Sequence, residues 1–82
     1  MFQLSFAASD TGGPLYDQLY RAIVAQIRHG ELAPGERLPG KRSLAAELSV
    51  SVNTVDTAYQ MLVAEGYLEA RPRSGFFVQH YT

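Results

Sequence analysis

Four short polar side chains, Asn53, Asp56, Thr57 and Gln60, recur at helical spacing within "SVSVNTVDTAYQMLVAEGYL", residues 49–68. With Val55, Ala58, Tyr59 and Leu62 turned inward at about 100° per residue, those four fall together on the opposite face. A merely solvated helix face is usually rich in Lys and Glu, and this one holds neither. Asn and Gln amides can make paired bonds to the edge of adenine, and a Thr or Val methyl can meet the thymine methyl. The chemistry these residues suit is the reading of base edges, with an ordinary solvated face as the other reading of Asn53, Thr57 and Gln60. Asp56 fits there in two ways, accepting a bond from cytosine or acting locally, by orienting a nearby arginine or capping the helix. The cations lie elsewhere. Arg37, Lys41 and Arg42 precede this region, and Arg71 and Arg73 stand just before and within the "PRSG" stretch. Such residues supply phosphate contacts. Ordinary surface charge is the other reading for all five, and Arg71 has a neighbour, Glu69, with which to pair.

Other chemistries find no residues to carry them. The chain contains no cysteine, so disulfides, thiolate metal sites and cysteine nucleophiles are excluded. There is no phosphate-cradling glycine loop, no metal-spaced ligand set and no nucleophile–base pair. His29 and His80 have no partner at ligand or catalytic spacing. No apolar run is long enough to span a bilayer and no signal peptide is recognisable, so a cytoplasmic location and no membrane partner are expected. The formal net charge of −1 counts mildly against a nucleic-acid partner. Local placement of charge matters more than the sum.

The elements that must position these residues follow from periodicity and punctuation. At 82 residues the chain has room for one small domain. Residues 1–13 form a lead-in, with Phe2, Leu4 and Phe6 alternating against Gln3 and Ser5 as an edge strand would. Leu15, Leu19, Ile23 and Ile27 predict a helix over 14–29, opened by Pro14 and stopped by Gly30. Two Pro-Gly pairs make 31–42 a loop, with room for a single bridge at Arg37–Leu38. Ser43 suits the N-cap of a short helix over 44–48 that buries Leu44, Ala45 and Leu48. Residues 49–51 break it. The next helix runs from about 52, with Ser51 as its cap, to 65, and Gly66 ends it. Tyr67–Arg71 and Phe76–Gln79 then read as a hairpin across a turn at 72–75. Tyr16, Tyr20, Tyr59, Tyr67, Phe76 and Phe77 are read as core rather than as a base-stacking platform.

Helix, helix, tight turn, helix, hairpin is the order of a winged helix-turn-helix, a mainly α fold with a small β-hairpin. A five-residue helix cannot stand alone in water and must pack on its neighbours. A three-residue break lets the following helix cross it steeply. The outward face of that following helix is then the one presented to a major groove.

The chain resembles the GntR family of bacterial transcription regulators over residues 14–79, through "PLYDQLYRAIVAQIRHGELAPGERLPGKRSLAAELSVS" followed by "NTVDTAYQMLVAEGYLEARPRSGFFV". "LYDQLY" and "AYQMLVAEGYLEARPRSGFFV" are most similar to the MocR subfamily, with the YtrA-type branch next. The resemblance implies that Arg42, in the "LP-x-x-R" element, contacts DNA, with Lys41 adding charge beside it. It implies contacts to phosphate or bases from Ser51 and Thr54, a base-facing Asn53, and a wing-tip Gly75 near the minor groove. Two departures leave the recognition helix without a cation: Val52 and Asp56 stand where the family very often, or in some branches, has arginine.

The resulting expectation is a sequence-specific DNA-binding domain over residues 14–79. Its candidate contacts are Lys41, Arg42, Ser51, Val52, Asn53, Thr54, Thr57, Gln60, Arg71, Arg73, Ser74 and Gly75. Residues 80–82 would begin a linker. By resemblance to MocR, the full-length protein would continue into an aminotransferase-like domain that binds pyridoxal phosphate through a lysine outside this chain and makes the protein a homodimer. The chain alone would hold no cofactor and be monomeric or weakly associating, with "MFQLSF" as a spare apolar strip for a partner or the missing domain. The competing reading is a winged helix that has lost DNA binding and serves as a protein-interaction module, favoured by the near-neutral charge. Catalysis is not expected.

Overall fold

In a computed structural model the described residues are 13–79. The expectations for residues 1–12 and 80–82, the lead-in strand, the apolar "MFQLSF" strip and the linker, lie outside them. Three helices come first: α1 Leu15–Arg28, α2 Lys41–Leu48 and α3 Val52–Ala64. Strands β1, Leu68–Arg71, and β2, Gly75–Val78, follow.

α1 begins one residue later than the spacing predicts, because Pro14 serves as its N-cap with extended backbone rather than as its first helical residue. Leu19, Ile23 and Ile27 form its buried side. Leu15 does not join that stripe: it lies in the first turn, where no described element covers it, and is 36% exposed. Tyr16 is likewise exposed and not core. Tyr20, Tyr67, Phe76 and Phe77 are half-buried, and Tyr59 is fully buried.

α2 is longer than expected. It starts at Lys41 with Gly40 as N-cap, and Ser43 lies inside its first turn. Serine is among the preferred caps, but the extended backbone of Gly40 after Pro39 already turns the chain into the helix. Arg42 is therefore a first-turn residue of α2 rather than part of the loop.

The break between α2 and α3 is built from two caps placed back to back. Ser49 takes the left-handed conformation, φ 58°. The Ser49 N–H bonds Ala46 O at 3.3 Å, and the Val50 N–H bonds Ala45 O at 3.0 Å, which closes α2 in a Schellman motif. Ser51 then opens α3, its hydroxyl accepting from the Thr54 N–H at 3.1 Å. α3 buries Val55, Ala58, Tyr59 and Leu62, as its spacing predicts. The Tyr59 hydroxyl donates to Pro39 O at 2.8 Å, and its ring meets Phe76 with centroids 4.8 Å apart. Burial pushes the Tyr59 phenol well above its ordinary pKa.

β1 and β2 pair antiparallel from Leu68↔Val78 to Arg71↔Gly75, β1 starting one residue later than expected and β2 lying one residue earlier. The expected bridge forms between Arg37 and Phe77. It belongs to a longer contact: Gly35 N–H bonds Val78 O, Leu38 N–H bonds Phe76 O, and Val78 N–H bonds Glu36 O, at 2.8, 2.8 and 2.9 Å. β2 is thus paired along both edges. Alternation puts Leu38, Phe76, Val78 and Leu68 on the inner face of this wing, and Arg37, Phe77, Glu69 and Arg71 on the outer one. Leu38, Leu68 and Val78 close the core built by the helices.

Candidate nucleic-acid interface

The outward face of α3 carries exposed Val52, Asn53, Thr57 and Gln60, opposite four residues that are wholly buried. Val52, 42% exposed, is among the most exposed large apolar side chains of the described residues. Its β-branched side chain stands in the first turn of the helix, only partly covered by the fold. Among the described residues, the side chains of Asn53, Thr57, Arg42 and Arg73 have no partner within the chain. They are available to a ligand without breaking an existing bond.

Other candidates are already engaged. Lys41 reaches from α2 to α3, its Nζ 2.6 Å from Asp56 Oδ1 and 5.7 Å from the centroid of the Phe76 ring. Gln60 Nε2 donates to Asp56 Oδ2 at 2.7 Å. Asp56 thus acts locally, as the sequence allowed, but the partner it orients is a lysine and an amide, and the helix cap is Ser51. Ser51 and Thr54 share a hydroxyl–hydroxyl bond of 2.9 Å at the start of α3, where exposed backbone N–H groups and the helix dipole favour an anion.

The wing gathers three arginines. Arg71 lies over the Phe77 ring, 4.4 Å from its centroid, and gives Nε and Nη2 to Glu69 Oε1 at 3.1 and 3.0 Å. The local pairing open to Arg71 from the sequence is therefore made. Both partners are about half exposed, so the pair contributes little stability and can be exchanged for another anion. Arg73 sits at the hairpin tip in the left-handed region, φ 68°, beside Ser74, whose N–H bonds Arg71 O. Gly75 follows at φ 115°; a Cβ there would meet Arg37 Nε at 3.2 Å. Arg37, Arg71 and Arg73 line one shallow groove of about 480 Å3 under the hairpin tip.

Arg37 is the residue that the sequence underrated. Its place beside Gly75 follows from the pairing of residues 35–38 with β2, and the signal was the Arg37–Leu38 alternation next to the Pro-Gly pair. Among the described residues no helix is long and apolar enough to cross a membrane, and no group of metal-binding side chains forms.

The comparisons with known proteins agree with this geometry. Residues 15–78 match the family model described as "Bacterial regulatory proteins, gntR family". The chain is 47% identical over 68 residues to the uncharacterized HTH-type transcriptional regulator YdeL of Bacillus subtilis, covering 83% of this chain and 15% of that protein. It is 48% identical over 69 residues to the probable rhizopine catabolism regulatory protein MocR of Rhizobium meliloti, covering 84% of this chain and 14% of that one. The chain therefore spans about one seventh of the length of these relatives. Among solved structures, YtrA from Sulfolobus acidocaldarius, a GntR-family transcription factor, superposes with a TM-score of 0.84 at 37% identity, over 89% of this chain and 77% of that one. The DNA-binding domain of AraR in complex with its operator ORE1 superposes with a TM-score of 0.77 at 29% identity, over 95% and 94%. A family match over nearly all the described residues, on a three-helix fold with a paired wing, makes this chain a member of the gntR family of bacterial regulatory proteins, with the winged-helix DNA-binding domain of its transcription regulators.

Proposed function

We propose that α3 lies in the major groove of double-stranded DNA, with Asn53, Thr57 and Gln60 facing base edges and Val52 against a thymine methyl. The observation that carries this reading is the α3 face itself. Short polar side chains and a partly exposed valine stand opposite a fully buried stripe, on a helix whose own caps are satisfied. Arg42, Ser51 and Thr54 hold phosphates at the groove mouth, while Lys41 stays paired with Asp56. Arg71, Arg73, Ser74 and Gly75 meet the backbone or the minor groove at the wing, with Arg37 beside them. The similar AraR domain, solved in complex with operators, supports DNA as the partner. With no cation on α3, affinity comes from its flanks, and the preferred site contains A·T pairs.

The module binds and does not catalyse. It acts in the cytoplasm as one part of a longer homodimeric regulator whose other domain resembles an aminotransferase. The small share of the relatives that the chain covers supports such a longer protein. Pyridoxal phosphate would be held there. The residues of this chain do not fit it: Lys41 is the sole lysine, and it is committed to Asp56 on the surface between two helices. The 82-residue chain is accordingly expected to sediment as a monomer and to bind a single half-site weakly. Two half-sites engaged by a dimer would gain about 10²–10⁴ in apparent affinity.

Selection from a randomised duplex library, followed by titration of the winning duplex against salt, tests the reading. A recovered consensus and a linear fall of log affinity with log salt are expected. No consensus and no salt dependence would favour a protein-interaction module instead.

A further inference from the structure

We propose that Asp56 is a positioning residue for base recognition, fixing the amide of Gln60 for adenine while it withholds Lys41 from the DNA backbone. The proposal rests on the placement of α3 in the major groove. An ionised carboxylate only accepts hydrogen bonds, so the group of Gln60 that faces Asp56 Oδ2 at 2.7 Å is its NH2. The assignment of the two amide atoms is thereby settled by chemistry. One N–H is spent on Asp56. The carbonyl Oε1 and the second N–H remain, and that acceptor–donor pair matches N6 and N7 of adenine. Without Asp56 the amide is free to turn over and offers the two groups in either order.

The other oxygen of the same carboxylate holds Lys41 Nζ at 2.6 Å, and the ammonium lies over the Phe76 ring, 5.7 Å from its centroid. This lysine is one of only seven cations in the chain. Bound in this way, it adds little to binding that is indifferent to sequence. Asp56 therefore couples two properties, a sharper preference at one base pair and a weaker general attraction to DNA.

The test uses the 82-residue chain, the duplex that it selects from a randomised library, and a scrambled duplex of equal length. Gln60→Ala identifies the base pair that Gln60 reads, as the position whose preference it abolishes. Asp56→Asn is expected to lose preference at that same position, roughly tenfold. It should also bind the scrambled duplex more tightly, with a salt slope steeper by about one. Lys41→Gln, which leaves Asp56 and Gln60 in place, should keep the base preference. Asp56→Ser serves if Asp56→Asn melts early. An Asp56 variant that stays folded and keeps full preference at the Gln60 position would overturn the proposal, as would a Gln60→Ala protein with an unaltered consensus. A wild-type chain that selects no sequence would instead remove the placement of α3 on which the proposal stands.

Discussion

At the scale of single residues, the interface divides side chains that are free from side chains that must first let go. Arg42 belongs to the first kind. It projects from the first turn of α2 and pairs with nothing among the described residues, so its removal costs the fold little. Arg42→Ala is expected to weaken the selected duplex by about 1–3 kcal/mol while the thermal melt stays in place. A loss confined to the selected sequence marks a base contact. A uniform loss with a salt slope lower by about one marks a phosphate contact. Unchanged affinity would take Arg42 out of the interface. Val52 is the opposite case, an apolar side chain where a cation would add attraction. Val52→Arg should raise affinity for all sequences and move the neighbouring preference towards guanine, whose O6 and N7 suit a guanidinium. A repeat selection with an unaltered consensus and unaltered affinity would show that position 52 does not face the groove.

At the scale of elements, the turn between α2 and α3 fixes how the recognition helix leaves the core. Its one strained point is Ser49, a non-glycine residue in the left-handed region. Left-handed backbone costs an L-residue roughly 1–2 kcal/mol, so Ser49→Gly is expected to stabilise the chain by about 1 kcal/mol in denaturant melts, with DNA selection unchanged. A destabilised variant would mean that the serine hydroxyl contributes more than the strain removes. What the sequence made legible here was local. The inward set of α3 is spaced by a single helical period, and its Ser51 cap lies next to it in the chain. The start of α2 was less legible, because Ser43 has the better capping side chain while the backbone of Gly40 does the turning. The Lys41–Asp56–Gln60 cluster was not legible as a whole. It exists only once two helices have crossed, and no periodicity encodes a crossing. Arg37 was legible as a cation beside a bridge, but its neighbours Gly75 and Phe77 were not, since they come to it from the far end of the chain.

At the scale of the whole molecule, the helices and the wing are tied at Tyr59, whose ring packs on Phe76 and whose hydroxyl bonds the carbonyl before Gly40. The folded state keeps that phenol protonated above its usual pKa, whereas the unfolded chain releases the proton near pH 10. Above that pH the unfolded state binds fewer protons, so stability is complete below about pH 10 and falls as pH rises beyond it. Tyr59→Phe should cost about 0.5–1.5 kcal/mol at neutral pH and flatten this alkaline decline. An equally steep decline in Tyr59→Phe would assign it to other groups. The double pairing of β2 carries a consequence for synthesis on the ribosome. The segment around Arg37 is made early, yet its hydrogen-bonding partners are Phe76 and Val78. Until those residues leave the exit tunnel, the helices can gather but Leu38 and Leu68 have no cover from β2, and the arginines of the wing have no sheet to stand on. The nascent module is therefore expected to acquire protease resistance in one late step, when Val78 emerges, rather than helix by helix.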